Sequence, residues 1–187
     1  MKLIFRIFPV LALAAAAAII VAPVSRAGQA ATAPQSKAKA AKGAVRSHPG
    51  ASGLPVPRFV SLSSDTVNMR AGPGVRYPIT WVYRRKGIPL MVMAEFEYWR
   101  KVRDAEGTEG WMHRSLLSGR RTALLRGEIN ELHQSPKAGA PVTLRAKAGV
   151  IGQLVTCQGN WCQIILNDMR AWLPRPEFFG TLPNEKF

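Results

Sequence analysis

No acidic residue occurs before Asp65, and the whole chain of 187 residues has only 11 Asp and Glu against 26 Lys and Arg. It has 2 cysteines and 3 histidines. Each shortage excludes something. No cysteine lies in the first thirty residues, so a lipoprotein anchor is excluded. His48, His113 and His133 are scattered and show no spacing of three or four convergent metal ligands. Cys157 and Cys162 are separated by four residues, not two, so they do not form a thioredoxin-type redox motif. No nucleophile motif surrounds either cysteine, and the paired carboxylates Glu95/Glu97 and Asp104/Glu106 fall at strand ends and turns, where solvation is usual. The inventory therefore predicts no enzyme, no catalytic residue, no metal and no cofactor. The net charge of +15 favours nucleic acid, a membrane surface or an anionic wall polymer as partner.

The first residues narrow that choice. Lys2 and Arg6 precede an apolar run from Ile7 to Ala22, and Ser25 and Ala27 have the spacing of a signal-peptidase site. The pattern predicts a signal peptide over 1–27, with a second cleavage site after Ala30. An uncleaved membrane anchor is the alternative, and it is the one route to a membrane partner. Cleavage removes three cations and no acid, which takes the charge from +15 to +12. Export to the periplasm or cell envelope makes a wall polymer a better partner than nucleic acid. Residues 28–57 carry four basic residues, no acid and no aromatic, too little apolar surface to offset the entropy of ordering. They read as a disordered basic linker.

From Arg58 onward short apolar runs alternate with Gly, Pro and Asn, the pattern of an all-β fold. Strands are predicted over Thr66–Arg70, Ile79–Arg84, Pro89–Phe96, Trp99–Asp104 and Glu109–His113, with a helical turn at Ser115–Leu117. A second set is predicted over Val142–Ala146, Val150–Thr156, Trp161–Leu166 and Arg170–Leu173. The two sets are related by an offset of 62 residues, which pairs Asn68 with Asn130, Gly87 with Gly149 and Trp99 with Trp161. One deletion later, Trp111 pairs with Trp172 and Gly119 with Gly180. The spacing predicts a duplicated unit of about 60 residues. In that alignment Arg70, Gly72 and Gly74 of the first copy face Leu132, Gln134 and Pro136 of the second.

The stretch VNMRAGPG, the Lys86-Gly87 turn, the run PLMVMAEF and then YWRKVRDAEGTEGWMHRSLL resemble the bacterial SH3 domain family. The resemblance spans 59–119 closely and 129–180 through Asn130, the two tryptophan positions and the spacing. It implies two tandem SH3-like small β-barrels, over 58–122 and 123–187, the second divergent. It also implies binding rather than catalysis, in exported proteins associated with the cell wall or with wall-remodelling enzymes.

Three expectations follow from the residues. The hairpin around CQGNWC brings Cys157 and Cys162 opposite each other within disulfide range; two free buried thiols are the alternative. In RAGPG, Pro73 and Gly74 suit the central positions of a type II turn, and Pro78 stops the loop from feeding a phosphate-binding helix. A barrel of this size cannot bury all of Tyr77, Trp81, Tyr83, Phe96, Tyr98, Trp99 and Trp111. Exposed rings and nearby guanidiniums suit a glycan–peptide ligand with carboxylates. The predicted contact surface is Arg70, Arg76, Tyr77, Trp81, Tyr98 and Trp99. For Trp99 and Trp111, which recur, a core or partly buried role is the competing reading. The expected partner is peptidoglycan or a wall peptide, with an adaptor docking on an envelope enzyme as the second class. Nucleic acid is not expected. Oligomeric state is not readable from the sequence.

Overall fold

The structure is a computed structural model that describes residues 48–186. The predicted signal peptide and the part of the predicted linker up to residue 47 lie outside the described residues. In chain order the strands are β1 (His48–Pro49), β2 (Pro55–Val56), β3 (Arg58–Leu62), β4 (Val67–Arg70), β5 (Ile79–Tyr83), β6 (Pro89–Phe96), β7 (Trp99–Arg103), β8 (Glu109–His113) and β9 (Leu117–Ser118). They continue with β10 (Thr122–Leu125), β11 (Ile129–His133), β12 (Val142–Lys147), β13 (Ile151–Gln158), β14 (Trp161–Leu166), β15 (Met169–Pro174) and β16 (Phe178–Phe179). A 3-10 turn precedes β9 and another precedes β16. Apart from the short β1–β2 ladder, the strands form two antiparallel seven-stranded sheets, ordered β5-β4-β8-β7-β6-β3-β9 and β12-β11-β15-β14-β13-β10-β16. The order is the same strand for strand, so the chain is an all-β tandem duplication.

Hydrogen bonding fixes the alignment of the copies and corrects the sequence register. Arg70 pairs with Trp111 and His133 with Trp172, while Met69 and Leu132 are both fully buried. Val67 therefore corresponds to Asn130, and the match of Asn68 to Asn130 is one residue out. The offset falls to 62 only after β5 and β12, because Arg84–Lys86 is replaced by the shorter Lys147–Ala148. Gly87 and Gly149 then correspond, each with its N–H on Leu62 or Leu125, respectively. The deletion expected between TEGWM and RAWLP lies in the β7–β8 and β14–β15 turns, as the pairs Val102↔Gly110 and Ile164↔Ala171 require.

Each sheet folds over its own core, with Leu62, Val67, Met69, Leu90, Val92, Val102 and Met112 in the first copy and Leu125, Leu132, Leu154, Ile164, Ala171 and Leu173 in the second. One layer of the first core is polar. There the buried Tyr83 hydroxyl donates to Asp104 at 2.7 Å, and Asp104 also accepts from the backbone of Glu106 and Thr108. Burial, with the Asp104 hydrogen bond and charge added, pushes the Tyr83 phenol well above its ordinary range. Tyr83→Phe is expected to cost about 1–3 kcal/mol, the penalty for a buried acceptor that loses its donor. Urea unfolding measures it, and an unchanged midpoint would show the pair to be idle.

The last part of the predicted linker is ordered. His48–Pro49 pairs with Pro55–Val56, Val56 is 1% exposed, and Ser52 donates to Glu95 through both its N–H and its hydroxyl. Glu95 also pairs with Arg58 at 2.6 Å and Arg100 at 3.0 Å, and its side chain is fully enclosed. One carboxylate that accepts several donors gives this short segment the fixed partner that its composition hides.

Glu95 and Arg100 are cross-strand neighbours on β6 and β7. The equivalent ladder position in the second copy is Cys157↔Cys162, which are joined by a disulfide. An ion pair and a covalent bond thus hold the same rung in the two copies. The copies touch through Thr122, whose hydroxyl donates to the Gly87 carbonyl at 2.7 Å, and through Arg85, which donates to the Gly149 carbonyl at 2.8 Å. The rings of Phe59 and Phe179 meet edge-on, 4.9 Å apart.

Candidate functional site

The loop that joins β4 to β5 is built around Arg70. Its Nη1 donates to the Val75 carbonyl at 2.9 Å and the Tyr77 carbonyl at 2.7 Å. The Tyr77 ring lies on Gly72, where an added Cβ would be 2.5 Å from the ring. Gly72 and Gly74 are absent from the positive-φ glycines, so the type II turn centred on Pro73-Gly74 is not formed. The turn lies two residues later, where the Tyr77 N–H donates to the Gly74 carbonyl. Gly72 is needed for close approach of a ring, not for a left-handed backbone.

The second copy keeps this loop without its residues. The bonds Gly74 N–H to Gly72 O and Tyr77 N–H to Gly74 O reappear as Lys137 to Ser135 and Ala140 to Lys137. His133 stands where Arg70 stands, and its Nδ1 lies 2.8 Å from the Ala140 carbonyl, the counterpart of Tyr77. Arg70 and His133 are therefore equivalent loop staples. The correspondence of Arg70 with Leu132 read from the sequence is corrected accordingly.

The six predicted contact residues fall into three places. Arg70, Arg76 and Tyr77 lie together, with the Arg76 guanidinium 5.8 Å from the Tyr77 ring centre. Tyr98 and Trp99 lie together at the β6–β7 turn: both rings neighbour His113, and Arg114 lies 4.8 Å over Tyr98. Trp81 stands apart on edge strand β5, 55% exposed, with its ring 6.5 Å from that of Tyr83. Strand alternation connects the first two places. Arg100, Val102, Gly110 and Met112 face the core, so Trp99, Lys101, Trp111 and His113 face outward. Trp111 pairs with Arg70 on one side and Lys101 on the other, and Trp99 pairs with His113.

Trp111, His113 and Arg114 are the members that residue typing missed. Recurrence in the second copy suggested a core or partly buried role for Trp99 and Trp111. Both are half-buried on the outer face, outside the core cluster. The alternation Gly110-Trp111-Met112-His113 carried the signal, since Met112 must face inward. The resulting band runs from Arg76 and Tyr77 through Arg70, Trp111 and Trp99 to Tyr98 and Arg114. It offers flat rings and fixed positive charge and includes no carboxylate. Chemically it suits stacking and anion pairing. Among the described residues, no three His, Cys, Asp or Glu side chains are grouped to hold a metal ion, and no helix is long and apolar enough to cross a membrane.

No curated protein matches the chain. Among solved structures it is similar to an NlpC/P60 family protein from Bacillus cereus ATCC 10987, at 12% identity and a TM-score of 0.30, over 67% of this chain and 57% of that one. It is also similar to NlpC2 from Trichomonas vaginalis, at 8% identity and a TM-score of 0.31, over 67% of this chain and 48% of that one. The chain thus spans about half the length of these proteins. The family described as bacterial SH3 domain matches twice, over residues 63–119 and 127–180, one match on each sheet and together more than half of the sequence. The chain belongs to the bacterial SH3 domain family.

Proposed function

We propose that this is an exported, non-enzymatic binding protein of the cell envelope, with each sheet closing as an SH3-like small barrel. The first copy recognises peptidoglycan or its stem peptides. The observation that carries the reading is the outward band of Tyr77, Trp111, Trp99 and Tyr98 interleaved with Arg70, Arg76 and Arg114. Rings stack on sugar and peptide planes, and guanidiniums pair with carboxylates. Arg70 has two donor contacts inside its own loop, so it supplies charge and loop shape more than a free fork. The second copy lacks the equivalents of Tyr77 and Arg76, which are Ala140 and Gly139, so binding is assigned to the first.

Purified sacculi test the proposal. The protein is expected to co-sediment at physiological salt and to weaken, without vanishing, as salt rises. Tyr98→Ala and Arg76→Ala, both at exposed members of the band, are each expected to lower affinity about tenfold, or about 1.4 kcal/mol, with folding intact. Failure to sediment refutes the ligand, and unchanged affinity in both variants refutes the surface.

A second reading, docking on an envelope protein, is favoured by β5. It is a sheet edge, and Ile79, Trp81 and Val82 on it are exposed and uncharged. Such an edge can accept a partner strand. Protection of β5 amides by an envelope extract, with no binding to sacculi, would select this reading.

A further inference from the structure

The second copy contains a cleft where the first is filled. Ladder register makes Ala146 the counterpart of Tyr83 and Leu144 the counterpart of Trp81. Leu166 corresponds to Asp104, because Ile164 corresponds to Val102. The hydrogen-bonded Tyr83–Asp104 pair, with Trp81 beside it, is thus replaced by Ala146, Leu166 and Leu144. Two rings are removed and nothing of similar size enters. The space is a cleft of about 490 Å3 lined by Leu144, Ala146, Val150, Ile165, Leu166 and Met169.

The rim has the opposite character. Arg85, reaching over from the first copy, joins Arg145 and Lys147 there, and no carboxylate lines the cleft. Glu131 bonds Arg145 from the neighbouring strand. Arg85 and Lys147 have no carboxylate among the six ion pairs formed by the described residues. An apolar floor of this volume with a few charged groups at its mouth is the usual make-up of a small-molecule site.

We propose that this cleft binds a dissolved anionic amphiphile, an apolar body of about ten carbons bearing one carboxylate. The body lies on Leu144, Ala146, Ile165 and Leu166, and the carboxylate meets Lys147 and Arg85. This site is separate from the aromatic band of the first copy, and its occupant needs no glycan. A neutral analogue of the same length gains the apolar contacts and loses the charge pairing.

Decanoate, with 1-decanol as the neutral control, tests the proposal on the full chain. Methyl chemical shifts of Leu144, Ile165 and Leu166 are expected to saturate with decanoate, at an affinity at least tenfold above that for decanol. Lys147→Gln should narrow the gap between the two ligands. Ala146→Tyr fills the cleft from within. Leu144→Trp narrows it from the half-exposed rim and needs no room in the core. Both are expected to abolish the shifts while the spectrum stays folded. The proposal is overturned if decanoate produces no saturable shift in those methyls, if decanol binds equally well, or if folded Leu144→Trp binds as the parent does. Binding to phosphatidylglycerol vesicles without binding to dissolved decanoate would overturn it too.

Discussion

Glu95→Gln is expected to destabilise the first repeat by about 3–5 kcal/mol, the range for removing one partner from a buried ion pair. The substitution leaves Arg58 and Arg100 enclosed side by side, with side-chain exposures of 16% and 6%. Burial by itself would raise the Glu95 pKa. The Ser52 N–H, the hydrogen bonds from Arg58 and the Ser52 hydroxyl, and the Arg58 charge outweigh it and lower the carboxyl from its ordinary 4.5 to about 2. A carboxyl depressed in the folded state stabilises fully above its unfolded pKa and loses that contribution as pH falls through the folded one. The window is therefore pH 4.5 down to 2, and the contribution lost is about 3 kcal/mol. In urea titrations across that range the parent should lose stability steeply, while Glu95→Gln should start lower and run flatter. Hydrogen exchange should also show faster opening of residues 48–56, which Glu95 holds through Ser52. Parallel pH profiles for the two proteins would refute the role assigned to this carboxylate.

The second large effect separates two glycines that the duplication makes equivalent. Gly119 and Gly180 follow β9 and β16 at the same place, as the pairs Ser61↔Ser118 and Leu124↔Phe179 require. At Gly180, φ is +148°, and an added Cβ would lie 2.2 Å from the Thr122 carbonyl oxygen and 3.2 Å from the Ala123 Cα. These are backbone atoms of β10 that cannot rotate away. At Gly119 nothing lies within 4 Å, and its φ is not positive. Gly180→Ala is expected to cost about 3 kcal/mol or more, combining backbone strain and overpacking. Gly119→Ala should be neutral to slightly stabilising, because it restricts the unfolded chain. Thermal unfolding of the two variants decides. Equal shifts would mean that β16 can move off β10 without loss.

Much of the fold was legible because periodic signals carried it. WRKVR and EGWMH alternate cleanly, PLMVMAEF is an apolar run bounded by turn residues, and the structure forms strands over those same residues. RFVSL was not recognised as a strand because four of its five residues are buried and the alternation disappears. TALL and FF are too short to show a period. The duplication was visible in its tryptophans, but its register was not. A turn shortened by one residue after β12 is invisible until the hydrogen bonds are counted, and a chance repeat of asparagine pointed to the wrong alignment. The staple role shared by Arg70 and His133 was hidden for a related reason. Side chains of different type reach the same carbonyl, so identity at the position says nothing. The site was half legible. Aromatic and arginine content predicted a band, yet Trp111 was set aside because its recurrence resembled a core position.

The rung shared by Glu95–Arg100 and Cys157–Cys162 has a further consequence for how the molecule fails. The disulfide closes a loop so short that it restricts the unfolded chain by only about 2 kcal/mol. Reductant removes that contribution from the second copy and leaves the ion pair of the first intact. Protons do the reverse. A calorimetric scan with reductant should move the melting of the second copy alone, and a scan in acid should move that of the first. After duplication the two copies came to rely on unlike chemistries, so no single stress weakens both halves at the same rung.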